Sequence, residues 1–168
     1  MLKVRTYPDA VLSHRAAPVK RIDREFLRLV NEMFDTMYRE KGVGLAAPQV
    51  GESLRVCVVN CTGKKDGELV LVNPVIIESS GEVSDEEGCL SVPGIRSNVT
   101  RAERVKVRGY DQNGNEIEVK ADGLQARCLQ HELDHLAGRL FVDRLSEAAR
   151  MVIRPGLKAL EEQHKKQA

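Results

Sequence analysis

Two histidines lie four residues apart in the segment His131-Glu132-Leu133-Asp134-His135, which matches the pattern H-E-x-x-H. On a helix, residues at this spacing lie one turn apart on the same face, so both imidazoles can reach one metal ion. Glu132 then lies beside the ion, where its carboxylate can accept a proton from a water. The alternative is a helix with two unrelated histidines, because short motifs recur by chance.

The spacing of the neighbouring residues indicates which way the two imidazoles point. Four residues share one helix face at steps of four, three and four: Leu124, Cys128, His131 and His135. We therefore expect both histidines to point inward with the apolar residues. An unpaired polar group there would be costly, so this pattern favours a metal site.

A catalytic metal usually has three protein ligands and an open position for water. The downstream candidates for a third ligand fit poorly because they lie in a polar tail: Glu147, Glu161, Glu162 and His164. Upstream, Cys89 lies between Gly88 and a turn-forming segment that begins at Ser91. On its chemistry alone, Cys89 fits a thiolate ligand and a small buried residue equally well.

A loop rich in small residues, Gly42-Val-Gly-Leu-Ala-Ala-Pro-Gln49, follows the first predicted helix. Its glycines and alanines let the backbone come close to a ligand or to a neighbouring strand. Gln49 offers an amide donor of the kind that stabilises an oxyanion. A phosphate-binding loop fits less well, because the loop follows a helix rather than a strand and lacks a G-K-[ST] ending.

Two predicted helices frame a run of strands. Residues 25–40 carry an apolar stripe after a candidate N-cap at Asp23, and residues 123–137 form a helix closed by Gly138. Between them we predict five strands, the last two joined by a hairpin at 111–115: 54–59, 69–72, 75–78, 104–109 and 116–119. This order predicts an α+β fold, with largely antiparallel β-sheets packed around a central helix that carries H-E-x-x-H.

The length of 168 residues predicts one domain over residues 1–168, with a helical tail from about residue 146 that Pro155-Gly156 should interrupt. The 26 Lys and Arg against 25 Asp and Glu give a net charge of +1, which argues against a protein built to grip nucleic acid or an anionic membrane. Neither a secretory signal nor an apolar stretch of membrane-spanning length is found, so we expect a cytoplasmic protein.

The cysteines are more typical of free thiols or ligands than of disulfides in a chain without an export signal: Cys57, Cys61, Cys89 and Cys128. Cys57 and Cys61 are spaced as a metal pair, but no further ligands follow closely, so we interpret them as structural. His14 and His164 stand outside any motif, and we expect them at the surface.

Three segments, 42–49, Glu87-Gly-Cys-Leu-Ser91 and Gln130-His-Glu-Leu-Asp-His135, resemble the three signature motifs of the peptide deformylases, in the family's order. The resemblance runs from the N-terminal segment to residues 141–143. Each motif is weak to moderate alone, but the three together are highly specific. The resemblance implies a hydrolase that removes the N-formyl group from the formylmethionine of newly made polypeptides and releases formate.

The resemblance also implies the metal site. Cys89, His131 and His135 would hold one divalent ion, with Fe²⁺ expected and Zn²⁺, Ni²⁺ or Co²⁺ able to replace it. Glu132 would accept the proton of the attacking water and deliver it to the departing amine.

The remaining roles concern the substrate. The side-chain amide of Gln49 and the backbone N–H of Leu90 would stabilise charge on the formyl oxygen. Gly44 would pair its backbone with the extended peptide. The candidates for an apolar pocket around the methionine side chain are Val43, Leu124 and Cys128.

Other members of the motifs have supporting roles or none. We expect Glu87 to pair with Arg101 and thereby hold the Cys89 loop. Gln130 and Asp134 either orient ligands or are solvated polar residues.

The expected partners are N-formylmethionyl nascent peptides and, through the basic tail, the ribosome near its exit tunnel; specific nucleic-acid readout and membrane binding are not expected. An organellar enzyme whose transit peptide was removed fits as well as a bacterial one. Two other functions stay open. A zinc endopeptidase would use H-E-x-x-H with a downstream ligand, and a binding-only relative would be expected to lose Glu132, Cys89 or Gln49, all of which are present.

Overall fold

The computed structural model describes all residues from Met1 to Ala168 and has an α+β fold with two antiparallel sheets. The larger sheet has five strands in this spatial order: β1 (Gly44–Ala46), β2 (Val56–Val59), β3 (Leu69–Ser80), β6 (Arg104–Tyr110) and β7 (Glu116–Asp122). The smaller sheet pairs β4 (Val83–Cys89) with β5 (Val92–Arg101). The helices are α1 (Arg24–Arg39), α2 (Gly123–Leu136) and α3 (Glu147–Gln167). None of them is both long and apolar enough to cross a membrane.

The larger sheet is covered by α1 on one face and by α2 on the other. Successive side chains of a strand point to opposite faces. Accordingly Val56 and Val58 of β2 pack with the apolar stripe of α1, whereas Cys57 and Val59 pack in a second cluster with α2. One continuous apolar strand therefore supports both helices.

The smaller sheet lies on the other side of α2. The guanidinium of Arg127 on α2 donates to the carbonyl oxygens of Val83 and Val99, at 2.9 and 2.8 Å. The helix with the H-E-x-x-H segment is thus held between the two sheets, which confirms the predicted α+β arrangement around a central helix.

Two local predictions are confirmed. The Asp23 carboxylate accepts the backbone N–H of Phe26 at 2.9 Å and caps α1. The turn between β6 and β7 is closed by Asp111, whose N–H donates to the carbonyl of Asn115 at 2.9 Å.

The predicted interruption of the last helix is wrong, because α3 continues through Pro155. Tertiary packing offsets the cost of the proline: Ile153, Leu157 and Leu160 all pack on one apolar cluster with β5. Gly156 allows this close approach, since a β-carbon at that position would lie 3.1 Å from Ile95 Cδ1.

The strands also depart from the predictions. The two predicted segments 69–72 and 75–78 form the single strand β3, whose register with β6 shifts between Val72 and Val75. The short strand β1 and the pair β4–β5 were not predicted. Residues 83–86 of β4 are all exposed, so its sequence lacks the alternation of a half-buried strand.

Candidate active site and metal centre

The three expected ligands come from two elements. His131 and His135 lie one turn apart on α2, and Cys89 is the last residue of β4. The pairing of β4 with β5 shifts register between Gly88 and Cys89. Such a β-bulge redirects a side chain at the end of a strand, and here the Cys89 thiol meets the two imidazoles.

The geometry of these donors fits a metal ion. His135 Nε2 lies 3.3 Å from Cys89 Sγ and 3.2 Å from His131 Nε2, and all three donor atoms lie within 4.8 Å of one another. Tetrahedral coordination with ordinary Zn–N and Zn–S bond lengths would separate such donors by about 3.3–3.6 Å. Burial lowers the pKa of His135, which favours the neutral imidazole that a ligand must have. The site is therefore suited to one divalent ion.

Glu87 fixes the orientation of His131. Its Oε2 lies 3.0 Å from His131 Nδ1, which leaves Nε2 turned toward the other donors. The predicted ion pair with Arg101 is present, at 2.6 and 2.9 Å, and Arg127 adds a contact of 2.9 Å. Burial alone would raise the pKa of Glu87, but hydrogen bonds from Arg101 and His131 lower this pKa to about 2. Glu87 is therefore a buried carboxylate anion.

Of the two motif residues left open, neither contacts a ligand directly. Asp134 accepts from Arg101 at 2.7 Å and from Arg144 at 2.6 Å, so it acts on the site only through Arg101. The Gln130 amide bonds both backbone groups of Ala102, at 2.9 and 3.0 Å, and thereby ties α2 to the end of β5.

Glu132 lies beside the ligands and is 3 % exposed. Its Oε2 has no hydrogen-bond partner, which is unusual for a buried carboxylate oxygen. Burial raises its pKa to about 7, against the lowering effect of the His131 and Arg101 charges. A β-carbon at Gly44 would lie 2.6 Å from Glu132 Oε1, so only glycine lets β1 pass this close.

Gln49 is buried next to Cys89. Its Oε1 accepts the backbone N–H of Ala46 at 2.9 Å, and its Nε2 donates to Ser91 Oγ at 3.2 Å and to Cys89 Sγ at 3.6 Å. The amide group is thus oriented with its N–H donors toward the Cys89 thiol.

A cavity of about 650 Å³ opens in front of these groups. Its lining includes every residue expected to contact the substrate: Val43, Gly44, Gln49, Leu90, Leu124, Cys128 and Glu132. Leu124 departs from one expectation: it is 57 % exposed and lies at the cavity's edge, whereas the helix-face argument placed it inward with Cys128. Leu124 is the second residue of α2 and lies in its first turn, where no residue before Ala126 is buried.

The remaining cysteines and histidines form no second metal cluster, since the only such group in the chain is Cys89, His131 and His135. Cys57 is fully buried and Cys61 is half-buried, while His14 and His164 are exposed, as expected. Sequence reasoning missed Arg127. Its position one turn before His131 on the same helix face was the available signal.

The family model of polypeptide deformylase matches residues 1–151. A solved peptide deformylase from Legionella pneumophila is 47 % identical, with 98 % of each chain covered and a TM-score of 0.91. One from Plasmodium falciparum is 39 % identical over 98 % of each chain, with a TM-score of 0.94. One from Arabidopsis thaliana, in complex with an inhibitor, is 39 % identical over 99 % of this chain and 94 % of that chain, with a TM-score of 0.96.

All three motif segments lie within the matched residues, and the overall folds coincide over nearly the full length. The chain therefore belongs to the polypeptide deformylase family.

Proposed function

We propose that this enzyme removes the N-formyl group from the formylmethionine of newly synthesised polypeptides and releases formate. The observation that carries the proposal is one arrangement: three metal-ligating atoms and a buried carboxylate at the base of a cavity beside a free strand edge. Because the chain belongs to the polypeptide deformylase family, we propose formylated peptides as the substrate class.

Cys89, His131 and His135 would hold one divalent ion, for which we propose Fe²⁺, with Zn²⁺, Ni²⁺ or Co²⁺ as replacements. When bound, such an ion polarises a carbonyl group and makes water more acidic. A thiolate with two imidazoles suits each of these ions, so the donor set alone does not select iron over zinc.

Glu132 would act as the general base and then as the general acid. Its Oε2 has no partner in the structure, so it is available to the proton of a water at the cavity base. The raised pKa, about 7, suits a group that must both accept and return a proton near neutral pH. The proton accepted from water would pass to the amine as the formamide C–N bond breaks.

Gln49 and Leu90 would stabilise the charge that develops on the formyl oxygen. The Nε2 of Gln49 is fixed by the bond from Ala46 to its Oε1, so the donor is positioned before substrate arrives. Leu90 follows Cys89 directly and lines the same cavity, which supports its backbone N–H as the second donor.

The peptide would bind as an added strand along β1. This strand lies at the edge of the five-stranded sheet and pairs only with β2, so its outer backbone groups face the cavity side. Gly44 would provide the backbone contacts, and its lack of a side chain leaves Glu132 in place. Val43, Leu124 and Cys128 would contact the methionine side chain.

The tail is the part of the chain that we propose contacts the ribosome near its exit tunnel. On α3, Met151 and Val152 are 65 % and 79 % exposed, next to basic residues that acidic neighbours partly offset: Arg150, Arg154, Lys158, Lys165 and Lys166. Reversing the charges of Arg154 and Lys158 should abolish co-sedimentation with ribosomes while formate release stays normal.

The compartment would be one in which protein synthesis starts with formylmethionine, either the bacterial cytoplasm or an organelle.

Product analysis tests the proposed reaction. With formyl-Met-Ala-Ser and an unformylated peptide of the same sequence, we expect formate and intact Met-Ala-Ser from the first and no product from the second. Internal cleavage of the unformylated peptide would instead support a zinc endopeptidase. A metal-loaded protein that binds the formylated peptide without turnover would support a binding-only relative.

A further inference from the structure

Lys41 has a backbone conformation that lysine rarely adopts. It follows the end of α1 with a φ of 57°, in the left-handed region, where the β-carbon clash favours glycine. Two hydrogen bonds fix the turn: the N–H of Lys41 donates to the Tyr38 carbonyl at 3.1 Å, and the N–H of Gly42 donates to the Met37 carbonyl at 2.9 Å. These are the bonds of a Schellman motif, in which glycine usually takes the left-handed position. A strained residue of this kind at the edge of a cavity points to a function for its side chain.

Among the lysine and arginine residues that line the active-site cavity, Lys41 alone makes no ion pair. Arg96 pairs with Glu86 at 2.5 Å, and Arg127 pairs with Glu87 at 2.9 Å. Lys41 is exposed and follows α1, whereas both arginine pairs involve strands of the smaller sheet. The charge of Lys41 is therefore available to a bound molecule.

The acidic residue beside Lys41 in the chain does not neutralise it. Glu40 also lines the cavity, but its carboxylate lies 3.1 Å from Arg39 Nε and pairs with that guanidinium. The edge of the cavity that follows α1 thus carries one uncompensated charge, and this charge is positive.

The accessible end of β1 determines how a peptide paired with this strand would leave the site. Residues 45–47 are completely buried, so an added strand cannot continue past them. In the other direction Val43 is 42 % exposed, and Lys41 is exposed as well. With formylmethionine beside Gly44, the following residues of the substrate would run past Val43 toward Lys41. An extended chain advances about 3.3 Å per residue, which brings its third residue within reach of the lysine side chain.

We propose that Lys41 gives the enzyme a preference for substrates with an acidic side chain at the third residue, counted from formylmethionine. A glutamate or aspartate there would form an ion pair with the Lys41 ammonium, whereas a lysine or arginine would be repelled. The hydrogen-bonded turn holds the backbone of Lys41 in place before the peptide arrives, so less freedom is lost on binding. This specificity rests on the proposed function, because that function supplies the peptide and its direction.

Binding measured separately from turnover tests the proposal. The probes are formyl-Met-Ala-Glu-Ala and formyl-Met-Ala-Gln-Ala, both with amidated C-termini, so that they differ in charge only at the third side chain. Calorimetry with zinc-loaded Glu132→Gln gives the dissociation constant of each peptide while hydrolysis is suppressed. We expect the glutamate peptide to bind about two- to fivefold more tightly, the range of an exposed ion pair, and the difference to shrink at high salt.

Three changes at residue 41, each made in Glu132→Gln, separate the charge from the fold. Lys41→Arg should keep the preference, Lys41→Gly should abolish it, and Lys41→Glu should favour a third peptide with lysine in place of glutamate. Lys41→Gly also relieves the left-handed conformation, so its melting temperature should not fall. The control is Lys158→Glu, at an exposed position of α3, which should leave the preference unchanged.

Equal affinity for the glutamate and glutamine peptides would overturn the proposal, as would a preference that survives in Lys41→Gly. Absence of binding by either peptide would overturn it too. Formate release by the wild type is a separate result. If the peptides bind with the expected preference but the metal-loaded wild type releases no formate, the deformylase proposal fails and the assignment of Lys41 to peptide selection stands.

Discussion

Glu132 is the residue on which the proposed chemistry depends most. Its carboxylate is buried among fixed neighbours, with one oxygen next to Gly44 and the other without a partner. Replacing it with Gln keeps the volume and leaves the three ligands intact. We expect Glu132→Gln to bind metal normally and to lose turnover by about 10²–10⁴-fold, the usual contribution of a positioned general base.

Formate release and metal content, measured on the same sample, check this prediction. Glu162→Gln is the matched control, because Glu162 is an exposed residue of α3 far along the tail. Near-normal turnover by Glu132→Gln would show that another group moves the proton.

The role we propose for Cys89 differs, since it concerns metal binding itself. Removing its thiolate leaves two imidazoles, too few to retain a divalent ion against dilution. We expect Cys89→Ala to lose bound metal on dialysis. Added metal should raise the melting temperature of the wild type but not that of Cys89→Ala. Cys57→Ala should retain both. Full metal occupancy in Cys89→Ala would remove Cys89 from the ligand set.

At the scale of elements, Arg101 connects the strand pair to α2. It donates to Glu87 on β4 at 2.6 Å and to Asp134 on α2 at 2.7 Å, with its side chain 3 % exposed. Breaking a buried ion pair from one side leaves uncompensated charge, so Arg101→Met should lower the free energy of unfolding by about 3 kcal/mol. Urea denaturation measures this loss.

The control is Arg104→Met. Arg104 is exposed, and its guanidinium lies 3.8 Å from the Glu103 carboxylate. Exposed pairs contribute little, so this variant should unfold almost as the wild type does. Equal stability of the two variants would mean that the buried network is not what joins the sheet to the helix.

The last helix provides a second prediction at this scale. Pro155 is exposed and lies inside α3, where it supplies no N–H for the carbonyl of Met151. Proline in a helix interior lowers the stability of the folded protein by about 3 kcal/mol relative to Ala. Proline also restricts the unfolded chain, which raises the stability of the folded protein by up to about 1 kcal/mol. We therefore expect Pro155→Ala to stabilise the protein by about 2 kcal/mol and to raise its melting temperature.

Lys158→Ala, at an exposed position of the same helix, should change stability little. If Pro155→Ala left both the melting temperature and the helical circular dichroism unchanged, the helix would not be continuous through residue 155.

Elements could be predicted from the sequence where one local signal was strong. Three such elements were predicted correctly: the α1 helix with its Asp23 cap, the H-E-x-x-H helix and the hairpin at Asp111. The β4–β5 pair was not, because its polar strands are stabilised by contacts with α2 that only the folded chain brings together. The continuity of α3 depends on packing against β5 in the same way.

At the scale of the whole molecule, the candidate site joins residues that are close in the sequence to residues that are far apart in it. The two histidines were predictable from helical spacing, but Cys89 alone fitted a buried thiol equally well, and the resemblance of three separate motifs made it a ligand candidate. Arg127 was missed because its partners, the Glu87 carboxylate and the backbone carbonyls of Val83 and Val99, lie on the smaller sheet, which was not predicted. The catalytic roles of Glu132, Gln49, Leu90 and Gly44 stay predictions, as does the single domain over residues 1–168.

Formate release from formyl-Met-Ala-Ser by anaerobically prepared protein, with metal content determined on the same sample, tests the central claim most directly. The account predicts release by metal-loaded protein, loss of release on chelation, and recovery when the metal is restored. Release that persists in the metal-free protein, or its absence from protein that carries one ion per chain, would contradict the account.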